Sequence, residues 1–516
     1  MGEDQEETIA FLARPESHGP GVAEVTRIDT HASVVFLAGA RAYKLKRAVR
    51  FSYLDYSTPE LRRIACEREL TLNRRTAPEL YLRVVPVMRT RHGLRLGGAG
   101  KPLDWLVEMV RFEETGLFDR MAEDGRLTDR LMRDLADRIA EFHDDAEIDR
   151  QAGGTAATAK VIEGNELNLR EPSAGFDRSQ LDRLIAAWRQ LLASLAVLLE
   201  RRRAEGHVRL CHGDLHLRNI CLVEGRPTLF DCVEFNDEIA RIDVLYDLAF
   251  LLMDLHYRHL TRLGNQVFNR YLDLRDEAAG LAALPLFLSL RAAIRAHTGA
   301  AAAARQPEPE RAALQRREAT AYLDAACVFL ASPAPRLVAV GGLSGTGKTS
   351  LAYAIAPELG RAPGARVLRS DVLRKRLMGV APEVRLGSEA YTPAISARVY
   401  QLLCAEAAEA LSCGQAVVAD AVFLKEVERD AIAEVGRAAG IPFTGLWLEA
   451  PYEVMENRIR ARCADASDAT VAVLRHQRNM DKGRISWLRL DAKRNEPKQI
   501  ARKAREALAA TLARSE

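Results

Sequence analysis

His212-Gly213-Asp214-Leu215-His216-Leu217-Arg218-Asn219, followed at the end of an apolar run by Asp231, governs the reading of the first part of this chain. An aspartate at the head of a tight loop can take or orient the proton of an acceptor hydroxyl. An asparagine one loop later offers a neutral oxygen to a divalent cation, and a second aspartate beyond it adds a charged ligand. Far downstream, Gly342-Leu343-Ser344-Gly345-Thr346-Gly347-Lys348-Thr349 is a complete phosphate loop, whose glycines let backbone N–H groups close around phosphate oxygens. The chain thus carries two separate phosphate-handling motifs.

Ahead of the first motif, Ser33 to Leu37 and Arg41 to Lys46 flank Ala38-Gly39-Ala40, the pattern of an antiparallel hairpin. Ser57-Thr58-Pro59-Glu60 then reads as a helix start, and Leu61 to Arg75 has helical spacing. Lys44 and Lys46 share one strand face, so alternation leaves the choice of a phosphate lysine open. Glu69 falls on the apolar stripe of the helix with Leu61, Ala65 and Leu72, where a carboxylate is costly unless paired. Glu67 points elsewhere and reads as solvated. To about residue 110 the pattern is β-rich, and from Thr128 onward it is mainly helical.

The H-G-D-x-x-x-x-N spacing resembles the H-R-D-x-x-x-x-N loop of protein kinases, with Gly213 in place of arginine. Roughly the first 330 residues resemble the aminoglycoside phosphotransferase family, whose members carry this loop and a following metal-binding aspartate. The resemblance implies an α+β two-lobed protein-kinase-like domain over 1–330, with a small lobe to about 110 and a helical lobe over 111–330. It implies Asp214 as the base, Asn219 and Asp231 as metal ligands, and Lys44 rather than Lys46 as the phosphate lysine, paired to Glu69. No glycine-rich G-x-G-x-x-G is present, so Thr30-His31-Ala32-Ser33 is the candidate covering loop and Trp105 to Val110 the candidate hinge at adenine. Asp243 and Asp247 are expected to cap a helix.

Composition changes at Ala331-Ser332-Pro333-Ala334-Pro335, an extended connector over 331–335. Strand-like runs then alternate with helices (Arg336 to Val340, Arg366 to Leu368, Ala416 to Ala419, Gly445 to Leu448). Over 336–516 this signals an α/β P-loop NTPase domain with a parallel sheet. In the phosphate loop Gly342, Ser344, Gly345, Thr346, Gly347 and Lys348 are placed for phosphates and Thr349 for Mg2+. Asp371 and Asp420 end strands beside the loop and so face the ligand crevice. Arg374 follows Asp371, and Arg458 and Arg462 precede the Asp465-Ala466-Ser467-Asp468 turn, where they could close as a lid on ATP. This half resembles the P-loop kinases that include gluconate kinase, zeta-toxin-like kinases and polynucleotide kinase. That resemblance implies Asp371 as a base, Arg374 as a substrate or phosphate contact, and Asp420 on the acceptor or the metal-water shell. The order of the two halves resembles a bacterial family described as bifunctional aminoglycoside phosphotransferase/ATP-binding protein.

Composition bounds the rest. At 516 residues the chain exceeds one core, and 48% hydrophobic with 28% charged residues is a globular mixture. A net charge of +3 gives no global pull toward nucleic acid or membrane. The eight cysteines are scattered and form no C-x-x-C, so neither a zinc site nor a disulfide framework is indicated. Leu181 to Glu200 is too interrupted by charge for a membrane span and reads as an amphipathic helix, as does basic Lys482 to Lys503. The expectation is a cytoplasmic bifunctional kinase using ATP and Mg2+ on small-molecule hydroxyls, with neither nucleic acid nor membrane as partner. The alternatives are an ATP-sensing half that regulates the other, or a nucleic-acid end kinase.

Overall fold

Val34 and Phe36 on the strand Ser33–Ala38 and Leu45 on the strand Arg41–Lys46 join Leu12, Val87 and Leu106 in a fully buried layer. That layer fixes the sheet on which Lys44 stands. The structure, a computed structural model, describes all residues except 1–4, 31, 52–53, 332, 462–465, 494–496 and 513–516. It comprises two units: Met1–Lys160 with Ala196–Leu251, and Val161–Leu195 with Leu252–Glu516.

In the first unit six antiparallel strands run in the order Val25–Asp29, Ser33–Ala38, Arg41–Lys46, Lys101–Val110, Tyr81–Thr90, Gly93–Leu96. The helix Pro59–Asn73 begins where Thr58 Oγ1 accepts from the Leu61 amide at 3.3 Å and proline takes the first helical position. Its buried face is Arg62, Ala65, Cys66, Glu69 and Leu72. Leu61, expected on that face, is exposed, and Arg62 takes its place because Asp104 Oδ1 at 2.7 Å and Tyr56 O at 3.0 Å satisfy its guanidinium. The His212–Asn219 segment follows the strand Val208–Leu210, antiparallel to Arg241–Asp243. The hairpin of Ile220–Val223 and Arg226–Leu229 then sets Asn219 at its entrance and Asp231 just past its exit.

In the second unit five parallel strands lie in the order Arg366–Arg369, Val417–Asp420, Leu337–Gly342, Phe443–Glu449, Leu488–Asp491. Leu337–Gly342 is buried throughout, as a central parallel strand covered on both faces must be. Strand order reverses beside it, which opens a crevice at the carboxyl ends. The phosphate loop, Asp371 and Asp420 all leave strands at that end. The fold is thus a kinase-like α+β domain followed by a P-loop α/β domain with a parallel sheet.

Two features differ from, or sharpen, the sequence reading. Lys482 to Lys503 is not one helix: Leu488–Asp491 is an edge strand, and the final helix begins at Pro497. Interspersed charge suits an edge strand equally, with Arg489 pairing to Glu449 at 3.0 Å while Leu490 and Ala492 turn inward. The alanine run Ala300 to Ala304, which by composition reads as helix or linker, belongs to the helix Leu284–Arg305, which packs on Pro309–Leu330. Ala300 and Ala303 are buried with Ala319 and Ala326, and a Cβ at Gly299 would meet Ala319 at 3.4 Å, so small side chains bring these helices close. The stretch Ala278–Arg305 is long and apolar enough to cross a membrane, and most of it is buried within the protein.

Candidate active sites

Lys44 Nζ lies 2.8 Å from Glu69 Oε1 and 2.5 Å from Asp231 Oδ1, so one ammonium ties together a strand, a helix and the segment after the hairpin. Lys46, on the same strand face, pairs with the other oxygen of Glu69 and with Glu234. The structure therefore engages both lysines, and Lys44 is the one that reaches Asp231. Burial alone would raise the fully buried Glu69 carboxyl, but Lys44 and Lys46 outweigh it and hold it below the usual carboxylate range. Burial would likewise lower Lys44, yet Asp231, Glu69 and Glu234 hold it well above the lysine range. Glu67 is exposed and pairs with Arg63 at 2.5 Å.

Asp214 stands partly exposed at the head of its loop, with Oδ2 accepting from Asn219 Nδ2 at 2.9 Å and lying 3.3 Å from His216 Nε2. Asn219 Nδ2 also donates to Asp214 O at 2.9 Å, which leaves its amide oxygen to offer a cation. Gly213 has a φ of 83°, and a Cβ there would press on Val233 at 3.0 Å. Asp247, in the first turn of the helix Val244–Tyr257, holds the loop: its oxygens accept from the His212 and Gly213 amides at 3.1 and 2.9 Å. Asp243 does cap, accepting from the Leu245 amide at 2.8 Å while Arg202 pairs with it.

Sequence reasoning missed Asn73, Tyr81 and Glu234. Asp231 adopts a left-handed φ of 62°, and its amide donates to Tyr81 Oη at 3.1 Å. The Cys232 amide donates to Asn73 Oδ1 at 2.8 Å, and Tyr56 Oη donates to Glu234 at 2.7 Å. The available signal was Asn73, one helical turn beyond Glu69 and buried on the same face. Thr30 Oγ1 accepts from the Ser33 amide at 2.9 Å in the candidate covering loop, where His31 lies outside the described residues. Trp105 to Val110 lies on the strand Lys101–Val110.

In the second unit the phosphate loop needs its glycines for space as well as conformation. A Cβ at Gly342 would stand 2.6 Å from Leu448 O, and one at Gly345 2.5 Å from Met455 O. Lys348 opens the helix Lys348–Ile355, and its Nζ donates to Leu343 O at 3.0 Å. Thr349 Oγ1 donates to Asp420 Oδ2 at 2.6 Å. Burial raises the Asp420 carboxyl, and Lys348, Arg369 and the Thr349 hydroxyl only partly offset it. Ser344 N donates to Gln477 Oε1 at 3.0 Å, a contact that spacing could not reveal; Thr346 Oγ1 donates back to Leu343 O at 2.8 Å.

Asp371 sits in the first turn of the helix Ser370–Leu377, directly after the edge strand. With the loop residues from Ser344 to Thr349, Arg374, Asp420 and Arg458, it lines a cavity of about 930 Å³. Arg374 is buried, donates to Ala390 O at 2.7 Å, and lies 4.6 Å from the centre of the Tyr391 ring. Arg458 donates to Thr346 O and Ala492 O, each at 3.1 Å, so it braces the phosphate loop from the expected lid helix. Arg460 is the solvated arginine of that helix, pairing with Glu456 at 2.5 Å. Arg462 and Asp465 lie outside the described residues. Asp468 accepts from Lys375 Nζ at 2.7 Å and Tyr391 Oη at 2.6 Å on the cavity wall.

Two family models match the chain, a phosphotransferase enzyme family over residues 29–281 and an AAA domain over residues 337–481. An uncharacterized protein of Mycobacterium bovis is 31% identical over 455 residues, which is 86% of this chain and 88% of the relative. An uncharacterized protein of Mycobacterium tuberculosis matches to the same extent, 31% over 455 residues, 86% of this chain and 88% of its own. Among solved structures, the Mycobacterium tuberculosis APS kinase CysC in complex with AMPPNP and APS is 25% identical over 34% of this chain and 99% of its own, with a TM-score of 0.28. A choline/ethanolamine kinase family protein of Mesorhizobium loti is 12% identical, covering 63% of this chain and 98% of its own, with a TM-score of 0.39.

Proposed function

Because the chain belongs to the family of its mycobacterial relatives and joins a phosphotransferase-enzyme domain to a kinase-like AAA domain, we propose that it is a bifunctional ATP-dependent phosphotransferase, each half phosphorylating a small-molecule hydroxyl. One observation carries the reading: each half sets a lysine for phosphate beside carboxylates suited to a cation and to a hydroxyl. In the first half Lys44 touches Asp231 at 2.5 Å, and Asp214 is bonded to Asn219 at 2.9 Å. In the second, Lys348 neighbours the Thr349–Asp420 pair at 2.6 Å, with Asp371 on the same cavity.

The donor sets fit Mg2+ with ATP. A hard cation takes oxygen ligands. Asn219 has an amide oxygen to give and Asp231 a partly exposed carboxylate; Thr349 and Asp420 supply a hydroxyl and a carboxylate in the other half. Mg2+ and ATP would supply the phosphoryl group and the counter-charge for its transfer. Lys44 and Lys348 would bind phosphate oxygens, as would the loop amides from Ser344 to Lys348. Asp214 and Asp371 would each accept the acceptor hydroxyl proton on a carboxylate oxygen, and Arg374 would orient the second acceptor. Arg458 would hold the loop around the phosphates. Seven cysteines among the described residues are free thiols, which supports a cytoplasmic setting. The acceptors are small molecules in this reading, because a net charge of +3 gives no global pull toward a nucleic acid.

The test is a metabolite screen with γ-labelled ATP on the wild type, Asp214→Asn and Lys348→Ala. Two labelled products are expected, one lost in each variant. A single product, or one lost in both variants, overturns independent centres.

A further inference from the structure

The strand Arg366–Arg369 is the outermost strand of the parallel sheet, so one side of its backbone has no neighbouring strand. A bare edge leaves N–H and C=O groups to water or to another chain. Here the helix Thr261–Leu274 covers it. Asn269 Oδ1 accepts from the Val367 amide at 2.7 Å, and Asn269 Nδ2 donates to Ala365 O at 3.1 Å. One side-chain amide thereby reproduces the donor and acceptor pair that a further strand would present. Asn265 Nδ2 extends the pattern to Pro363 O at 3.1 Å and Ala365 O at 3.0 Å. The Arg366 guanidinium, on the same strand, donates to Asp273 Oδ1 at 2.6 Å and Asn269 O at 3.1 Å. Asn265, Asn269, Asp273 and Arg366 are all at least nine-tenths buried, so water cannot replace these partners without the helix leaving.

The strand ends in chemistry. Arg369 at its carboxyl end lies 3.8 Å from Asp420, and Asp371 follows in the first turn of the next helix. The helix itself lies inside the region matched by the phosphotransferase enzyme family, residues 29–281, whereas the strand lies inside the AAA match, residues 337–481. Both nevertheless belong to the same compact unit.

We propose that Asn269 and Asp273 are positioning residues of the second phosphotransfer centre. The helix Thr261–Leu274 completes the edge of the P-loop sheet and so sets the placement of Asp371 and Arg369. This inference rests on the assignment of Asp371 as the acceptor-side base. It makes a segment of the phosphotransferase-family region a working part of the P-loop kinase. The helix also packs on Lys348–Ile355, but the side chains of Asn269 and Asp273 bond the edge strand, so acceptor turnover should fall further than nucleotide binding.

The test uses the full chain, with Asn269→Ala, Asp273→Asn and Asp371→Asn, each read for Lys348-dependent phosphate transfer and for binding of a fluorescent ATP analogue. Misplacement of a reacting group by about 1 Å costs on the order of 100-fold. Asn269→Ala and Asp273→Asn are therefore expected to lower turnover by about 10- to 100-fold, with analogue binding within about 3-fold of wild type, and Asp273→Glu to recover part of the loss. Hydrogen exchange of the Val367 amide should accelerate in Asn269→Ala. Unchanged turnover in both variants overturns the proposal, as does loss of turnover and nucleotide binding together. If Asp371→Asn keeps wild-type turnover, it is the base assignment that falls; the helix proposal is judged separately, by the turnover of the Asn269 and Asp273 variants.

Discussion

Lys44 is held by carboxylates from distant segments, Glu69 and Asp231, whereas Lys348 leans on Leu343 O, a carbonyl of its own loop. The first centre exists only when a strand, a helix and a post-hairpin segment have folded together. In the second, the phosphate loop is written in consecutive residues, while Asp371 and Asp420 come from the ends of separate strands. Contiguity makes the second motif robust to changes elsewhere, and dispersal makes the first sensitive to any one of its members.

The largest effect that can break this comparison is chemical. Asp214→Asn keeps the loop geometry and removes the proton acceptor, so first-centre turnover should fall by about 10²- to 10⁴-fold with nucleotide affinity nearly kept. Lys348→Ala should abolish the second activity and leave the first. Steady-state kinetics on the two labelled products separates the cases, and a joint loss would mean that the centres are not independent.

Next in size is the stability of the first network. Glu69→Ala leaves Lys44 and Lys46 buried with one carboxylate fewer, and removing one partner of a buried pair costs about 3–5 kcal/mol. Denaturant unfolding should show that loss, with the transition assigned to the first unit by hydrogen exchange of the helix Pro59–Asn73. A change under about 1 kcal/mol would mean that water or the remaining acids replace Glu69. Gly345→Ala tests the other side. It forces a non-glycine residue to a φ of 84° against Met455 O, a strain of about 1–3 kcal/mol, and should weaken analogue binding without moving the first unfolding transition.

The same contrast explains what could be read from sequence. Residues Gly342 to Thr349 and Asp214 to Asn219 are local patterns, and the local chain is enough to state their chemistry. Glu69 was legible because a carboxylate on an apolar stripe is an anomaly that only a partner resolves. Lys44 against Lys46 was not decidable by period, since both face the same way and the structure uses both. Tyr81, Gln477 and Asn269 were silent for a different reason: each acts on a backbone group far away in sequence, and nothing in its own neighbourhood marks it. The Leu488–Asp491 strand was hidden because charge alternation looks alike on an edge strand and a solvated helix.

The smallest effect concerns acid, and its sign differs between the centres. Glu69 is held below its ordinary value in the folded protein, so its contribution is complete above the unfolded carboxylate pKa of about 4.3 and is lost as pH falls through the lower folded value. Asp420 is pushed the other way by burial. Its folded form binds a proton more readily than the unfolded chain, so the associated penalty is full at neutral pH and is relieved as pH falls through the raised value. Acidification toward pH 4 should therefore ease the second unit through Asp420 before it weakens the first through Glu69. Hydrogen exchange over a pH series, corrected for intrinsic rates, can follow the helix Pro59–Asn73 and the strand Val417–Asp420 in the same molecule. Asp420→Asn should remove the acid-side gain in the strand without touching the helix. Parallel loss of protection in both elements from pH 6 downward would show that the two carboxylates do not titrate in opposite senses.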